Sequence, residues 1–254
     1  MNAALTDALA NADLLAITGG EPDQIQELPG GLTNRNYQLN CPGGLFVLRL
    51  NHPDPQSLDL HREYELAVHQ AAAAQGISPA VRYMSPDQSY WLRDFITGGS
   101  LTPEQLTSHD LSDISQILEK AHQLTIPSPA ALDFRQKCEH YLSQLRNDER
   151  DRWLPEIIAA DRLPAADRLV HMDPVPANWL RADDGRLWLI DWEYCASAHP
   201  LLDYASVYLH LPPSLKNLWL AQVPTHQSAD WSTAQAQIRL LESLWYRATD
   251  ISAL

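Results

Sequence analysis

The sequence predicts an α+β fold, with a small antiparallel sheet followed by a mainly helical part. Short apolar runs separated by turn residues fill the first 96 residues, which is typical of antiparallel strands. From Thr102 onward, apolar residues recur at helical spacing. A Thr-Gly-Gly-Ser segment at 97–100 separates the two patterns and has the composition of a hinge. We therefore predict an N-terminal lobe, residues 1–96, and a C-terminal lobe, residues 97–254.

The N-terminal lobe is predicted to begin with one amphipathic helix over residues 1–20, which ends at Gly19-Gly20. A second helix is predicted over residues 61–75. Strands are predicted at 45–50, 81–84 and 90–96. Arg49 is the single charge in the first of these apolar strands, so its side chain needs a partner.

The C-terminal lobe carries two apolar stripes at helical spacing, 111–124 and 138–145. His122 lies beside the first stripe and is predicted to be a hydrogen-bonded core histidine. The charge-rich run 146–152 is predicted to be a solvated helix face or loop. Several aromatic residues follow near the end, and their default role is packing in the core: Trp219, Trp231, Trp245 and Tyr246.

Composition narrows the possible partners. A chain of 254 residues with 45% hydrophobic content can bury a substantial core. The net charge of −14 argues against a nucleic-acid or anionic-membrane partner and favours the approach of a cationic substrate. No apolar run approaches the ~18 residues of a membrane span, and the first positive side chain is Arg35, so we expect no signal peptide. Three widely separated cysteines fit a cytoplasmic location: Cys41, Cys138 and Cys195.

The densest set of chemically active side chains lies within residues 169–193. A short apolar strand leads into a loop that carries three polar residues, His171, Asp173 and Asn178. A second strand, predicted over 187–192, ends in two carboxylates, those of Asp191 and Glu193. Because side chains alternate along a strand, these two carboxylates are expected to project to the same side.

The spacing His-x-Asp-x-x-x-x-Asn, followed by an Asp at the end of a strand, is the arrangement that phosphoryl transfer needs. Asp173 would accept the proton of the incoming hydroxyl, while Asn178 and Asp191 would hold Mg²⁺ at the nucleotide phosphates. The alternative is that the loop residues are ordinary turn formers. Their three identities at this spacing would occur in roughly one chain of this length in a hundred, which favours the catalytic interpretation.

A glycine pair, Gly30-Gly31, lies between two short predicted strands. Bare backbone N–H groups at such a pair can approach a phosphate closely. A simple hairpin turn is the alternative for two glycines between strands. The local pattern alone leaves both possibilities open.

Several of these motifs resemble those of the aminoglycoside phosphotransferase and choline kinase-like enzymes. Residues 171–194 resemble the catalytic loop and metal-binding strand of that family, and Ile-Asp-Trp-Glu-Tyr at 190–194 is most similar to the choline/ethanolamine kinase and bacterial thiamine kinase branches. Gly-Gly-Leu-Thr-Asn-x-Asn-Tyr, from Gly30, is similar to the family's nucleotide loop. Arg-Glu-Tyr-Glu at 62–65 resembles its Arg-x-x-Glu, and the match runs as far as Asp203.

The resemblance implies a bilobal, protein-kinase-like fold and transfer of the γ-phosphoryl group of ATP, with Mg²⁺, to a small-molecule hydroxyl. Arg49 would hold the phosphates and pair with Glu65, with Glu63 as the competing partner. His171 and Asp203 would support the catalytic loop. The nucleotide loop would bind ATP through Gly30, Gly31, Thr33 and Asn34.

The acceptor implied by the acidic balance, the aromatic residues and the resemblance is a small cationic metabolite of the choline, ethanolamine or thiamine type. Candidate acceptor-binding residues are Glu193, Tyr194 and Trp245. Related kinases often continue further after the helix that carries Trp245, so we expect a more open acceptor pocket or a different acceptor. The sequence indicates no oligomeric state.

Three other functions remain open at this point. The acceptor could be an aminoglycoside or a sugar. The chain could be a catalytically silent, nucleotide-binding regulatory module. It could also be a metal-dependent hydrolase, which would need imidazole ligation of a transition metal by a cluster of His171, Asp173, Asp191 and Glu193.

Overall fold

A computed structural model describes residues 3–29, 31, 33–126 and 131–249. In these ranges an antiparallel five-stranded sheet has the order β1-β2-β3-β5-β4. Its strands are β1 (Gln24–Leu28), β2 (Arg35–Cys41), β3 (Gly44–Leu50), β4 (Val81–Met84) and β5 (Tyr90–Asp94). Helix α3 (Arg62–Ala74) connects β3 to β4. The predicted antiparallel sheet is confirmed, and so is the predicted helix between its third and fourth strands.

The N-terminal segment forms two helices, α1 (Ala3–Leu9) and α2 (Ala12–Thr18), so the prediction of one continuous helix was wrong. The side chain of Asn11 accepts a hydrogen bond from the backbone N–H of Leu14 at 3.0 Å. Asparagine is a preferred residue before the first turn of a helix because it satisfies an otherwise unpaired N–H. It therefore starts a new helix where the apolar spacing alone suggested continuity.

The rest of the described chain is mainly helical, with short strands that carry the site. Strand β6 (Gly98–Ser100) pairs with β8 (Trp179–Ala182), which pairs with β9 (Leu187–Leu189). Strand β7 (Arg168–Val170) pairs with β10 (Ala196–Ala198). The helices are α4 (Ser108–Ala121), α5 (Phe134–Ser143), α6 (Asn147–Ala160), α7 (Leu201–His210), α8 (Pro213–Leu220) and α9 (Ala229–Thr249). The predicted α+β class is confirmed.

Two clusters of buried apolar side chains hold the chain together. The smaller cluster lies between the first two helices and the five-stranded sheet, with members such as Leu5, Leu14, Leu39, Leu48 and Leu92. The larger cluster includes Val68 and Ala72 of α3 together with the helices and strands beyond Leu101. Helix α3 therefore belongs to the N-terminal lobe in sequence but packs with the C-terminal core.

The lobe boundary after residue 96 stays a prediction. Strand β6 begins at Gly98 and pairs with β8 of the C-terminal part, which is compatible with a boundary at this point. No helix in the described ranges has the length and apolar character that crossing a bilayer requires.

Candidate active site

The site is organised by Arg49, a buried arginine near the end of β3. Its guanidinium contacts three carboxylates: Glu65 at 2.6 Å, Asp191 at 3.0 Å and Glu193 at 3.1 Å. Burial by itself would lower the pKa of Arg49, but these carboxylates outweigh it and raise the pKa above its ordinary value. The partner on α3 is thus Glu65, and Glu63 does not take this place.

A second buried arginine, Arg62, completes the network. Its Nη1 donates to Glu65 at 2.7 Å and to Glu193 at 2.9 Å. Its Nη2 donates to the side-chain oxygen of Asn34 at 2.9 Å. We call the two arginines and the three carboxylates the ion network: Arg49, Arg62, Glu65, Asp191 and Glu193. It links β3, α3 and the segment after β9.

Glu193 lies inside the ion network and not against an acceptor, which departs from our expectation. Its Oε1 accepts a hydrogen bond from Thr33 at 2.6 Å, and its Oε2 accepts one from Asn34 at 2.8 Å. With the two arginines also bound, the carboxylate is 5% exposed and fully engaged by the protein. Burial alone would raise the pKa of Glu193, but Arg49 and Arg62 outweigh it and lower the pKa.

The nucleotide loop predicted from the glycine pair is tied to this network through its side chains. Thr33 and Asn34 turn inward to Glu193, so their polar groups are already bonded. A β-carbon at Gly31 would collide with the carbonyl oxygen of Asn34, so only glycine fits there. Gly31, Thr33 and Asn34 all line one cavity next to the ion network, whereas Gly30 lies outside the described residues.

Asp191 and Glu193 reach the same side by a different route from the one predicted. Strand β9 ends at Leu189, so strand alternation does not extend to these residues. Asp191 has a φ of 71°, in the left-handed region, which aspartate tolerates better than most residues. This turn directs both carboxylates to Arg49. It sends Trp192, between them, into the core, where its Nε1 donates to the Ser78 hydroxyl at 2.8 Å.

His171 and Asp203 hold the backbone of the catalytic loop from inside the core. The Asp203 carboxylate accepts hydrogen bonds from the backbone N–H groups of His171 at 2.9 Å and Met172 at 2.8 Å. It also contacts Nε2 of His122 at 2.9 Å, so His122 is the hydrogen-bonded core histidine that was predicted. The fully buried Asp203 thus fixes where the loop leaves β7.

The His171 ring has no free nitrogen for a metal. Its Nδ1 accepts from the backbone N–H of Asp173 at 3.3 Å, and its Nε2 lies 2.9 Å from the carbonyl oxygen of Ile190. A ring that accepts at Nδ1 carries its proton on Nε2 and donates it to the carbonyl. This arrangement removes the imidazole ligand that the hydrolase alternative required.

Asp173 and Asn178 face the cavity and contact each other. The Asn178 Nδ2 donates to the Asp173 side chain at 3.0 Å and to its carbonyl oxygen at 2.8 Å. This leaves the side-chain oxygen of Asn178 facing away from Asp173. Burial, followed by the charges of Asp191, Glu242 and Glu193, raises the pKa of Asp173 well above its ordinary value.

The donor set fits Mg²⁺ at Asn178 and Asp191. Among the described residues, neither the Asn178 Oδ1 nor the Asp191 Oδ2 accepts a hydrogen bond, and both side chains line the cavity. Carboxylate and amide oxygens are the ligands that Mg²⁺ prefers. Glu65, Asp191 and Glu193 also bring oxygens within 4.8 Å of one another, but Arg49 contacts all three and supplies the positive charge there.

A cavity of about 510 Å³ joins the ion network to the C-terminal helices. On one side it is lined by Gly31, Arg49, Arg93, Leu101, Thr102 and Asn178. On the other side it is lined by Asp173, Tyr194, His210, Glu242, Trp245 and Tyr246, which we call the acceptor half. The Trp245 Nε1 donates to the Tyr194 hydroxyl at 2.6 Å, so these two predicted residues do come together.

Sequence reasoning missed Glu242, which lies in the acceptor half on α9. Burial raises the pKa of Glu242, whereas the charges of His210 and Arg239 act to lower it. His210 Nε2 is 3.7 Å from the Glu242 carboxylate. Glu242, Trp245 and Tyr246 are three and four residues apart, which places them on one face of a helix. That spacing was visible in the sequence, although nothing in it indicated that this face lines a cavity.

Lys137 was also missed, and its charge is already neutralised. Its Nζ lies 2.5 Å from the Asp59 carboxylate and over the rings of Tyr141 and Tyr194, at 5.7 and 5.5 Å from their centroids. Because Asp59 lies on the segment between β3 and α3, this pair joins the N-terminal part to α5 beside the acceptor half. The Tyr194 ring therefore already has a cation on one side.

The geometry can be compared with known proteins. The family model described as APH, phosphotransferase enzyme family, matches residues 24–236. The chain belongs to the phosphotransferase enzyme family. This membership confirms the resemblance to aminoglycoside phosphotransferase and choline kinase-like enzymes that the motifs indicated. It also agrees with the expected class of reaction, which is group transfer and not hydrolysis.

Individual phosphotransferase relatives extend the comparison. The chain is 30% identical over 195 residues to the protein LicA of Haemophilus influenzae; the match covers 70% of this chain and 56% of the length of LicA. The choline kinase LicA from Streptococcus pneumoniae superimposes with a TM-score of 0.77 at 18% identity, covering 96% of this chain and 91% of that one.

An aminoglycoside phosphotransferase has the same architecture. A thermostable mutant of APH(4)-Ia, in a ternary complex with AMP-PNP and hygromycin B, superimposes with a TM-score of 0.67 at 19% identity, covering 95% of this chain and 94% of that one. At these identities the likeness shows the fold. The predicted protein-kinase-like fold is confirmed.

We predict that the ion network contributes strongly to stability in this phosphotransferase. Arg62→Met would leave Arg49 as the one counter-charge of three clustered carboxylates and should lower the free energy of unfolding by about 3–5 kcal/mol. Urea denaturation followed by circular dichroism measures the change.

The matched control is Arg82→Met. Arg82 also binds a carboxylate in a bidentate manner, that of Asp94 at 2.7 and 2.9 Å, but its side chain is 52% exposed. Its loss should cost at most about 1 kcal/mol. Equal effects of the two substitutions would contradict a special role for the ion network.

Proposed function

We propose that the protein is an ATP- and Mg²⁺-dependent kinase that transfers the γ-phosphoryl group to a hydroxyl of a small cationic metabolite of the choline, ethanolamine or thiamine type. The observation that carries this proposal is one cavity that Asp173 lines together with two sets of groups. One set is the oxygens of Asn178 and Asp191, which fit Mg²⁺. The other set is Glu242 and aromatic rings, which fit a cation.

In this mechanism Asp173 accepts the proton of the acceptor hydroxyl. Its raised pKa makes its carboxylate a stronger base toward that proton than an exposed aspartate. Asn178 keeps the base in place through its hydrogen bond at 3.0 Å. Asp203 and His171 hold the loop on which the base is carried. Catalysis then depends mainly on positioning and on charge neutralisation.

Mg²⁺, when bound, would neutralise charge on the phosphates, and Asn178 and Asp191 would hold it. Arg49 fixes the orientation of Asp191 through its contact at 3.0 Å and places a positive charge beside the phosphate site. Gly31 permits close approach of the loop backbone to the nucleotide. Thr33 and Asn34 support that loop through Glu193 and do not need to contact the nucleotide with their side chains.

The acceptor half favours a positively charged ligand. Lys137 is neutralised by Asp59, and the carboxylates of Asp173 and Glu242 line the acceptor half. His210, at 3.7 Å, and Arg239 act on Glu242 as opposite charges. The rings of Trp245 and Tyr246 are in contact, 5.1 Å between centroids, and line the same cavity. Aromatic faces next to a carboxylate attract ammonium and similar cations. Glu242 thus takes the acceptor-binding role that the sequence assigned to Glu193.

The silent regulatory module is disfavoured because a module without turnover would not need a base. Asp173, Asn178 and Asp191 all line the cavity, and the buried Asp203 holds the loop that carries the first of them. Aminoglycoside and sugar acceptors are distinguished from small cations by testing them side by side.

We predict that Asp173→Asn will reduce phosphoryl transfer by roughly 100- to 10,000-fold, because the amide cannot accept the proton. Nucleotide binding should change little, since the substitution preserves size and removes no proposed Mg²⁺ ligand. Coupled nucleoside diphosphate release measures transfer to choline, ethanolamine, thiamine, aminoglycosides and simple sugars. Asp7→Asn, on the exposed surface of α1, serves as the matched control and should retain full activity. Full activity of the Asp173 variant would remove this residue as the base.

A second substitution tests the acceptor class. Glu242→Gln should raise the KM for the cationic acceptor by roughly 10- to 100-fold, because a partly buried charge partner is lost, while kcat falls much less. Glu119→Gln, on the exposed face of α4, is the control. An unchanged KM for every cation in the panel would exclude Glu242 as the acceptor-binding carboxylate.

A further inference from the structure

Arg93 is a buried cation that lines the cavity but is not part of the ion network. It lies on β5, opposite Val47 of β3, and is 9% exposed. Its Nη1 donates to the backbone carbonyl of Asp94 at 3.0 Å. Among the described residues, no carboxylate lies within ion-pairing distance of Arg93, because Arg82 holds both oxygens of Asp94 on the other side of the strand.

A buried guanidinium with so few partners can bind a ligand that offers hydrogen-bond acceptors. Arginine offers five N–H donors in a planar fork and accepts no hydrogen bond. Burial, and then repulsion from Arg49, lower the pKa of Arg93 to about 10, so the group is still charged at neutral pH. The other guanidinium nitrogens of Arg93 have no hydrogen-bond partner among the described residues and are not fully buried, so they can bind a ligand in the cavity. A ligand that presents acceptors to Arg93 would pair these donors.

The register of the sheet offsets Arg93 from Arg49 along the strands. Arg49 pairs with Trp91, whereas Arg93 pairs with Val47, two residues nearer the end where β5 leads into β6. Two strand residues correspond to about 7 Å. Leu101, Thr102 and Pro103 line the cavity beyond this end of the strand. A nucleotide with its phosphates near Arg49 and Asp191 would therefore have its base on the side of Arg93.

The two purine bases differ at the edge that a donor-only side chain would contact. Guanine presents two acceptors, O6 and N7, and arginine binds them through two parallel hydrogen bonds. Adenine presents N7 beside an amino group, which is itself a donor.

We propose that Arg93 selects the base of the phosphoryl donor and that this enzyme binds guanine nucleotides in preference to adenine nucleotides. The inference rests on the proposed kinase function and refines its donor from ATP to GTP. The proposed phosphoryl transfer is the same with either nucleotide, because the two triphosphates are identical beyond the base.

The first test is equilibrium binding of Mg·GDP and Mg·ADP by titration calorimetry on the full chain. The unmodified protein should bind Mg·GDP at least about 10-fold more tightly, the discrimination expected of one bidentate arginine contact. Arg93→Met should abolish this preference by weakening Mg·GDP binding selectively. Arg82→Met, which removes an exposed arginine from neighbouring strand β4, should leave the ratio of the two affinities unchanged.

Arg93→Lys separates base selection from an effect of charge. Lysine keeps the positive charge but loses the planar fork, so the preference should fall with this substitution too. Equal or tighter binding of Mg·ADP by the unmodified protein would overturn the proposal. So would equal weakening of both nucleotides in Arg93→Met, because Arg93 would then act on the phosphates, or a preference that survives its removal.

Transfer assays with GTP and ATP keep this inference separate from the proposed function. Transfer with ATP but not GTP would refute base selection by Arg93 and leave the kinase function intact. Failure of both triphosphates with every acceptor, together with preferential binding of Mg·GDP, would count against the kinase function and leave the role of Arg93 standing.

Discussion

The contact of one buried guanidinium with three carboxylates holds the site together. Arg49 lies on β3, Glu65 on α3, and Asp191 and Glu193 follow β9. An unpaired charge at a site this deeply buried would cost several kcal/mol, so the sheet, the helix and the catalytic segment satisfy one another only when all are in place. Helix α3 also packs into the larger apolar core, so the same helix supports both that core and the site.

The left-handed backbone at Asp191 connects this polar network to the apolar interior. It lets the residues on either side of Trp192 face Arg49 while the indole is fully buried. There the indole packs on the His171 ring, 4.6 Å between centroids. His171 in turn bonds the carbonyl of Ile190 and the backbone of the loop that carries Asp173. The base and the proposed metal ligands are therefore positioned by core packing as well as by ion pairs.

Several predictions from the sequence are confirmed because they depended on local patterns. The apolar run of β3 and the helical spacing of α3 each involve neighbours along the chain. Predictions that extended a local pattern too far were wrong. Apolar spacing joined α1 to α2 across Asn11, and strand alternation was continued beyond Leu189, because neither pattern registers a capping hydrogen bond or a left-handed residue.

The sequence by itself determined the family, the fold class and the kinds of chemical group available: aspartate, amide and carboxylate side chains, a cation on β3 and an acidic balance. Only the tertiary structure decided which group meets which. In it, Glu65 and not Glu63 contacts Arg49, and Glu193 lies among arginines. Glu242, 69 residues from Asp173 along the chain, lines the same cavity. Such contacts depend on the rotational phase of helices and on how they pack, and spacing along the chain carries little information about either.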